Sequence, residues 1–210
     1  MRLKSSPRRL AAAFAVSAAF IGTAAAQDET DMPLVLLHPI FAADYTCSEH
    51  WEGQLQHLGD ARGTDCLVTG LIKTPNGGAF SRTFEGDGAE NEQWYSWGET
   101  VLAPLSGEVV RMHINSAVNK PGDLGQPPAS MIAIRRADGV TVVVAHIAEP
   151  TVAQGDTVAA GQPIAIVGNN GFSRSPHIHV GAFRDKTPLQ IRWDLRPMAK
   201  LRGIEAGETP

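Results

Sequence analysis

The amino-acid sequence predicts an all-β domain, an antiparallel sheet or β-sandwich, preceded by an irregular N-terminal extension. Three observations predict this fold class. Glycine and proline number 21 and 14 among 210 residues, which favours short strands and turns over long helices. Runs rich in Ile and Val at 130–136 and 140–147 have the length and composition of strands. Asp138-Gly139 between them is a strong hairpin signal.

The rest of the β domain follows in short segments. We expect strands at 100–103, 108–114, 130–136, 140–147, 165–168, 177–183 and 189–193. Residues 115–128 are polar and rich in Gly and Pro, which predicts a loop. Two similar pieces, V-x-x-G-D and V-x-x-G-Q, begin at Val152 and Val158, and each glycine suits a tight turn with positive φ.

The composition excludes some classes of protein. Hydrophobic residues make up 43% and charged residues 19%, an ordinary globular balance that excludes wholesale disorder. The formal charge of −4 argues against nucleic acid as a partner.

The first 26 residues have the pattern of a secretory signal peptide. Four basic residues are followed by an uncharged, Ala-rich stretch at 10–26 that ends in Ala24-Ala25-Ala26. A membrane anchor is the alternative, but the stretch is short for a transmembrane helix. We expect cleavage near Gln27, no membrane span afterwards, and an exported protein that is periplasmic or secreted. Loss of the four basic residues takes the formal charge from −4 to −8.

The two cysteines, Cys47 and Cys66, both follow this segment. An even pair in an exported chain predicts a disulfide. The alternative, two thiols that bind a metal, is less favoured because no C-x-x-C spacing is present. We therefore divide the chain into a signal peptide (1–26), a disulfide-pinned extension (27–82), the β domain (83–197) and a tail (198–210).

The most informative motif is Ser175-Pro176-His177-Ile178-His179-Val180. In a strand, residues i and i+2 face the same side, so His177 and His179 point together while Ile178 and Val180 point to the core. Two imidazoles on one face suit a metal ligand beside a general base. The alternative is a pair of surface histidines without a role.

The wider context resembles the lysostaphin/LytM type of zinc metallopeptidase, which cuts peptide cross-bridges of peptidoglycan. His146-Ile147, the paired V-x-x-G pieces, the turn at 168–171 and Pro176-His177-Ile178-His179 match that family's order of motifs. Residues 98–110 are similar to its G-T-x-V-x-A-x-x-x-G-x-V strand. The resemblance covers roughly residues 85–192 and implies that family's β fold.

The resemblance also implies roles for three histidines. His179 matches the zinc ligand, and His146 and His177 match the pair that acts on the attacking water and the transition state. Zinc lowers the pKa of bound water and polarises the scissile carbonyl, which fits this chemistry.

One family motif, an H-x-x-x-D just before the G-T-x-V strand, is missing. The aligned positions are Gly88 and Glu92. Because carboxylates bind zinc, we expect metal ligands from this acidic loop, with Asp87 and Glu92 as the candidates and Glu90 as a substitute. A metal other than zinc, or none, is the alternative. Three further histidines are possible replacements for the missing ligand: His50, His57 and His113.

Two functions follow from this pattern. The first is a metalloendopeptidase that acts on peptidoglycan peptides or another peptide substrate. The second is a catalytically degenerate domain of the same fold that binds cell wall or regulates a partner cell-wall hydrolase. A biotin- or lipoyl-carrier domain shares the V-x-x-G pattern, but no lysine for modification lies between Arg136 and Arg184.

Overall fold

The computed structural model describes residues 32–55, 57 and 59–204. The expected signal peptide and its cleavage site near Gln27 lie outside the described residues. No helix in the described part of the chain is long and apolar enough to cross a membrane.

Strands dominate the chain. The first five are β1 (Leu34–Leu37), β2 (Tyr45–Glu49), β3 (Thr64–Val68), β4 (Gly70–Lys73) and β5 (Ala79–Arg82). The next six are β6 (Thr100–Leu102), β7 (Gly107–His113), β8 (Met131–Arg135), β9 (Val140–Ala145), β10 (Ile147–Ala148) and β11 (Thr157–Val158). The last four are β12 (Pro163–Val167), β13 (Ile178–Arg184), β14 (Thr187–Pro188) and β15 (Gln190–Trp193). A 3₁₀ turn spans Asn91–Gln93, and an α-helix, α1, spans Met198–Leu201.

The main sheet is antiparallel and has eight strands. Its order is β11-β7-β8-β9-β13-β3-β2, and β14 also pairs with β13. A three-stranded sheet, β10-β12-β6, contributes to the same buried cluster. Ile and Val side chains of both sheets fill that cluster because alternate residues of each strand face it. The all-β antiparallel fold predicted from the sequence is confirmed.

The turn predictions also hold. Gly155 and Gly161 both have positive φ, 96° and 84°, at the ends of the two V-x-x-G pieces. Gly139 has a φ of 87° in the hairpin between β8 and β9. Glycine adopts this region without steric cost, which explains its place at each turn.

The segment before residue 83 differs from the irregular extension expected from the sequence. It contains β1 to β5, and β3 pairs with β13 within the main sheet while β2 lies at its edge. β1 pairs in parallel with β15, and β4 and β5 form a separate hairpin. These strands are short and mix polar with apolar residues, so their alternation is weak. Their pairing is with distant segments, which local patterns do not reveal.

The predicted disulfide is present and links β2 to β3. Cys47 and Cys66 are direct cross-strand partners. Cys66 is fully buried in the core. The bond therefore fixes the register between an edge strand and the strand that joins it to the sheet.

Candidate metal centre

Strand pairing brings an aspartate to His179. β13 pairs antiparallel with β3, and His179 is the direct partner of Asp65. Directly opposed residues point to the same face of a sheet, so both side chains lie on the face opposite Ile178 and Cys66. Nδ1 of His179 lies 2.9 Å from Oδ1 of Asp65.

A second histidine reaches the same carboxylate from β2. His50 follows this strand directly, and its N–H donates to the carbonyl of Gly63 across the β2–β3 pair. Its Nε2 lies 3.2 Å from Oδ2 of Asp65. The rings of His50 and His179 stack with centroids 5.2 Å apart. The Asp65 carboxylate therefore lies between two imidazole nitrogens.

These three side chains fit a zinc ion. Among the described residues, His50, Asp65 and His179 form the group whose ligand atoms all lie within 4.8 Å of one another. Two imidazoles and one carboxylate are a ligand set that zinc uses in hydrolases, where a water takes the fourth position. Both histidines are buried, with exposures of 8% and 7%, so the ligands are held by their surroundings.

His146 and His177 lie beside this group. Their ring centroids are 4.5 Å apart, and the ring of His146 is 6.4 Å from that of His179. Nδ1–H of His146 donates to the carbonyl of Asn170, and Nδ1–H of His177 donates to that of Ser175, each at 2.8 Å. Because a carbonyl only accepts, Nδ1 carries the proton in both rings, and each Nε2 is left with its lone pair.

The turn at 169–171 holds His146 in place. The side chain of Asn170 accepts from the N–H of Ser130 and donates to the carbonyl of Ile147. Its own carbonyl accepts the hydrogen bond from Nδ1–H of His146. His146 has a φ of 65°, an unusual value for a residue with a side chain. The Asn-Asn-Gly turn thus orients a histidine as well as reversing the chain.

The charges of the site divide its histidines into two kinds. Burial, with a contribution from His177, lowers the pKa of His146 to about 3. Burial also lowers the pKa of His177. Burial opposes the charged form of His179 as well, but its hydrogen bonds to Asp60 and Asp65 outweigh this and raise its pKa to about 9. His146 and His177 are therefore neutral near pH 7, whereas His179 is protonated when no metal is bound.

The Asp65 carboxyl is held in its charged form. Burial alone would raise its pKa, but the hydrogen bond from His179 and the nearby imidazoles of His177 and His50 lower it well below the usual range. A charged carboxylate is the form that a metal ion needs.

The connection between β2 and β3 folds back over the sheet. The carbonyl of Gly59 lies 3.3 Å from Nε2 of His179, and Oδ1 of Asp60 is also 3.3 Å from that atom. A side chain at Gly181 would coincide with the carbonyl of Gly59, so the loop lies directly on β13. This close approach requires glycine at position 181.

The structure brings together some of the residues predicted from the sequence. His146, His177 and His179 converge as expected, with His177 Nε2 3.7 Å from Asp65 Oδ1. Asp87 and Glu92 do not belong to the ligand group formed by the described residues.

The acidic loop has contacts of its own. Asp87 is exposed and accepts a hydrogen bond from the N–H of Ala89, two residues along. Glu92 is exposed in the 3₁₀ turn, and Glu90 pairs with Lys120. The structure therefore offers Asp65 and His50 as metal ligands in place of Asp87 and Glu92, because β3 rather than this loop adjoins β13.

The aromatic residues near that loop pack against it. Trp94 tilts onto Phe84 with ring centroids 4.8 Å apart, and its Nε1–H donates to the carbonyl of Gly88. Of the other two candidate histidines, His57 is exposed in the β2–β3 loop and His113 ends β7.

Sequence reasoning named His50 only as one possible replacement and missed Asp65. The predicted disulfide carried the missing signal. If Cys47 is opposite Cys66, then Ser48 is opposite Asp65, and His50 lies diagonally across from Asp65 on the same face. The register of one predicted disulfide thus brings both candidate ligands, His50 and Asp65, to the same face.

Comparison with known proteins gives one family match. Residues 94–191 match the model of peptidase family M23. This match includes His146, His177 and His179. It begins after His50 and Asp65 in the sequence, so it does not cover them. No curated protein matches the chain closely enough to count as a relative.

Several solved structures are similar in fold. The catalytic domain of lysostaphin from Staphylococcus simulans is 21% identical, over 75% of this chain and 92% of that one, with a TM-score of 0.43. A mutant catalytic domain of the prophage-encoded M23 protein EnpA from Enterococcus faecalis is 19% identical, over 72% and 92%, with a TM-score of 0.45. A chain of a SpoIIIAH–SpoIIQ complex is 17% identical, over 73% and 95%, with a TM-score of 0.45.

The family match falls on the strands, turns and histidines that carry the resemblance seen in the sequence. The resemblance to the lysostaphin/LytM type is confirmed, since residues 94–191 match the model of peptidase family M23.

Proposed function

We propose that this chain is an exported metalloendopeptidase that hydrolyses peptide bonds of bacterial peptidoglycan. The observation that carries the proposal is the convergence of ligand atoms from His50, Asp65 and His179 beside His146 and His177. A zinc ion bound there lowers the pKa of a water molecule and polarises the scissile carbonyl.

The two remaining histidines supply proton transfer. His146 and His177 each donate Nδ1–H to a backbone carbonyl, so Nε2 of each is free to accept a proton. Nε2 of His177 lies 3.7 Å from Asp65, at the edge of the ligand group. We assign His177 as the base that takes a proton from the attacking water, and His146 as its partner in returning that proton to the leaving amine.

The substrate class follows from the family. Peptidoglycan peptides are the expected substrate, and the N-terminal pattern of residues 1–26 supports export to the compartment where they occur. Detection of Gln27 as the first residue of exported protein would support this location. An intact N-terminus would contradict it.

The alternative is a degenerate domain that binds cell wall or regulates a partner hydrolase. The missing H-x-x-x-D motif was its main support. His50 and Asp65 supply an imidazole and a carboxylate from other positions, which favours the enzyme.

The test combines metal content with hydrolysis of cross-linked peptidoglycan peptides. We expect one zinc per oxidised chain, loss of binding in His179→Ala, and retained binding with reduced hydrolysis in His177→Ala. Asp87→Asn is the matched control, because this carboxylate is exposed and outside the ligand group. A wild-type protein that binds zinc in none of these assays would favour the regulatory alternative.

A further inference from the structure

We propose that Asp60 is a positioning residue that orients both histidine ligands of the metal centre at once. The inference rests on the proposed metal site and adds a residue from the β2–β3 loop to it. Its carboxylate contacts the outer nitrogen of His179, and its backbone carbonyl contacts the outer nitrogen of His50.

Asp60 contacts Nε2 of one ring and Nδ1 of the other. Oδ1 of Asp60 lies 3.3 Å from Nε2 of His179, whose Nδ1 faces Asp65. The carbonyl oxygen of Asp60 lies 3.4 Å from Nδ1 of His50, whose Nε2 faces Asp65. One residue thus accepts a hydrogen bond from the outer nitrogen of each ring.

This arrangement fixes both tautomers. A histidine that binds a metal through one nitrogen carries its proton on the other, and an acceptor at that proton sets the ring's orientation and raises its basicity. With Asp60 on the outer nitrogens, Nδ1 of His179 and Nε2 of His50 are the atoms that would turn their lone pairs to an ion beside Asp65, once the ion has replaced the proton of His179. These are the two atoms that join the ligand group.

Asp60 is not placed to be a ligand itself. The two nitrogens of an imidazole point in different directions, and Asp65 and Asp60 lie against different nitrogens of His179. An ion bound at Nδ1 beside Asp65 is therefore on the other side of the ring from the Asp60 carboxylate.

The loop that carries Asp60 is held in place by short-range bonds. The N–H of Gly63 donates to the carbonyl of Asp60 at 3.0 Å, and the N–H of Asp60 donates to that of His57 at 2.9 Å. Gly59 lies against Gly181 without room for a side chain. The position of Asp60 is thus determined by the turn and by its contact with β13.

The Asp60 carboxylate carries a negative charge, whereas the neighbouring carbonyl of Gly59 does not. The carbonyl of Gly59 also accepts from Nε2 of His179, at 3.3 Å, and would preserve the tautomer if the carboxylate were removed. The separate contribution of Asp60 is its negative charge, which strengthens the imidazole as a ligand.

The experiment measures zinc affinity by competition with a chromophoric chelator, using the full, oxidised chain. We expect Asp60→Ala to weaken zinc binding by about 10–100-fold, the usual effect of losing such a partner. Asp60→Asn keeps an acceptor of the same shape and should give an intermediate loss. Asp123→Asn, an exposed aspartate in the 115–128 loop, is the control and should leave affinity unchanged.

A second measurement separates positioning from direct ligation. The visible spectrum of the cobalt-substituted protein reports the atoms bound to the metal. We expect the same bands in wild type and Asp60→Ala, since the ligands are unchanged. Far-UV circular dichroism and disulfide content check that each variant folds, and Asp60→Asn carries the test if Asp60→Ala does not.

The outcomes are distinct. Zinc affinity of both Asp60 variants within about twofold of wild type, against the 10–100-fold expected, would overturn the positioning role and leave the metal site standing. Altered cobalt bands would overturn it in favour of direct ligation. Failure of wild-type protein to bind zinc would overturn the metal site itself, and this inference with it.

Discussion

The two sides of the candidate metal centre come from different parts of the sequence. One side, the histidine side, consists of His146, His177 and His179 on or next to β9 and β13. The other, the acid side, consists of His50 and Asp65 with Asp60 in the loop between them. The histidine side lies within the family match, whereas the acid side lies outside it. The family match therefore covers one side of the candidate site and not the other.

The two sides also differ in how they are held. β13 pairs with β9 on one side and β3 on the other, so its backbone is hydrogen-bonded along both edges. Among the strands of residues 32–204, β2 is the last of this sheet and pairs with β3 alone. His50 and Asp65 are 15 positions apart in sequence and meet only through that pairing. The acid side depends on strand register, and the histidine side on a short motif.

The largest expected effect comes from removing the carboxylate shared by both sides. Asp65→Ala should abolish zinc binding, because Asp65 contacts both His50 and His179. Isothermal titration calorimetry with zinc measures this directly. Equal loss of binding in Asp87→Ala would instead support the acidic loop that the sequence suggested.

A pH series tests the charge state of His179. Its pKa is raised to about 9 in the metal-free protein, so zinc must displace a proton there. Zinc affinity should rise about tenfold per pH unit as pH increases toward 9 and then level off, with one proton released per ion. Calorimetry in buffers of different ionisation enthalpy counts that proton.

The same shift predicts the stability of the metal-free protein. A raised pKa stabilises the fold fully below the unfolded value near 6.5, and this contribution is lost as pH rises through about 9. Thermal unfolding should show a decline in Tm across that range in wild type. His179→Gln should lack that component of the decline, and an identical profile would contradict the assignment.

Removing the disulfide tests whether the register between β2 and β3 holds the acid side in place. Replacement of Cys47 and Cys66 by alanine should lower the free energy of unfolding by about 3 kcal/mol, from the closure of a loop with a sequence separation of 19. Zinc affinity should also fall, since β2 is then held by backbone bonds alone. Chemical denaturation and chelator competition measure the two effects. Unchanged affinity would show that backbone pairing suffices to place His50.

The smallest expected effect is at the end of β2, where Glu49 is the last residue. Arg192 pairs with Glu49 at 3.0 Å, and both side chains are more than half exposed. Arg192→Ala should cost less than about 1 kcal/mol, as exposed ion pairs do, and leave zinc affinity unchanged. A large loss of affinity would mean that this pair, rather than the disulfide, anchors the edge strand.

Sequence patterns identified the histidine side because its signal is local. Alternation alone placed His177 and His179 on one face, and the motif order around Val152 and Val158 linked them to His146. The same approach assigned Asp87 and Glu92 from an ungapped alignment to a missing motif. The structure instead places the Asp65 carboxylate of β3, more than twenty residues earlier, beside His179, and the pairing of β3 with β13 is too long-range for local patterns to reveal.

The strands of the N-terminal extension were harder still to predict from the sequence. Residues 45–49 and 64–68 contain few consecutive apolar side chains, so neither segment stands out as a strand. Their pairing was nevertheless implied by the predicted bond between Cys47 and Cys66. The disulfide was expected from an even pair of cysteines in a chain with an export signal. It therefore gave more information about the site than the acidic loop did.

The edge position of β2 has a consequence for the timing of assembly. Disulfides form in oxidising compartments and are rare in the cytosol. A newly made chain in the cytosol has the strands that carry His146, His177 and His179, but its His50 lies on an edge strand without a covalent anchor. If the proposed metal centre and export hold, the disulfide secures His50 beside Asp65 only once the chain has left the cytosol.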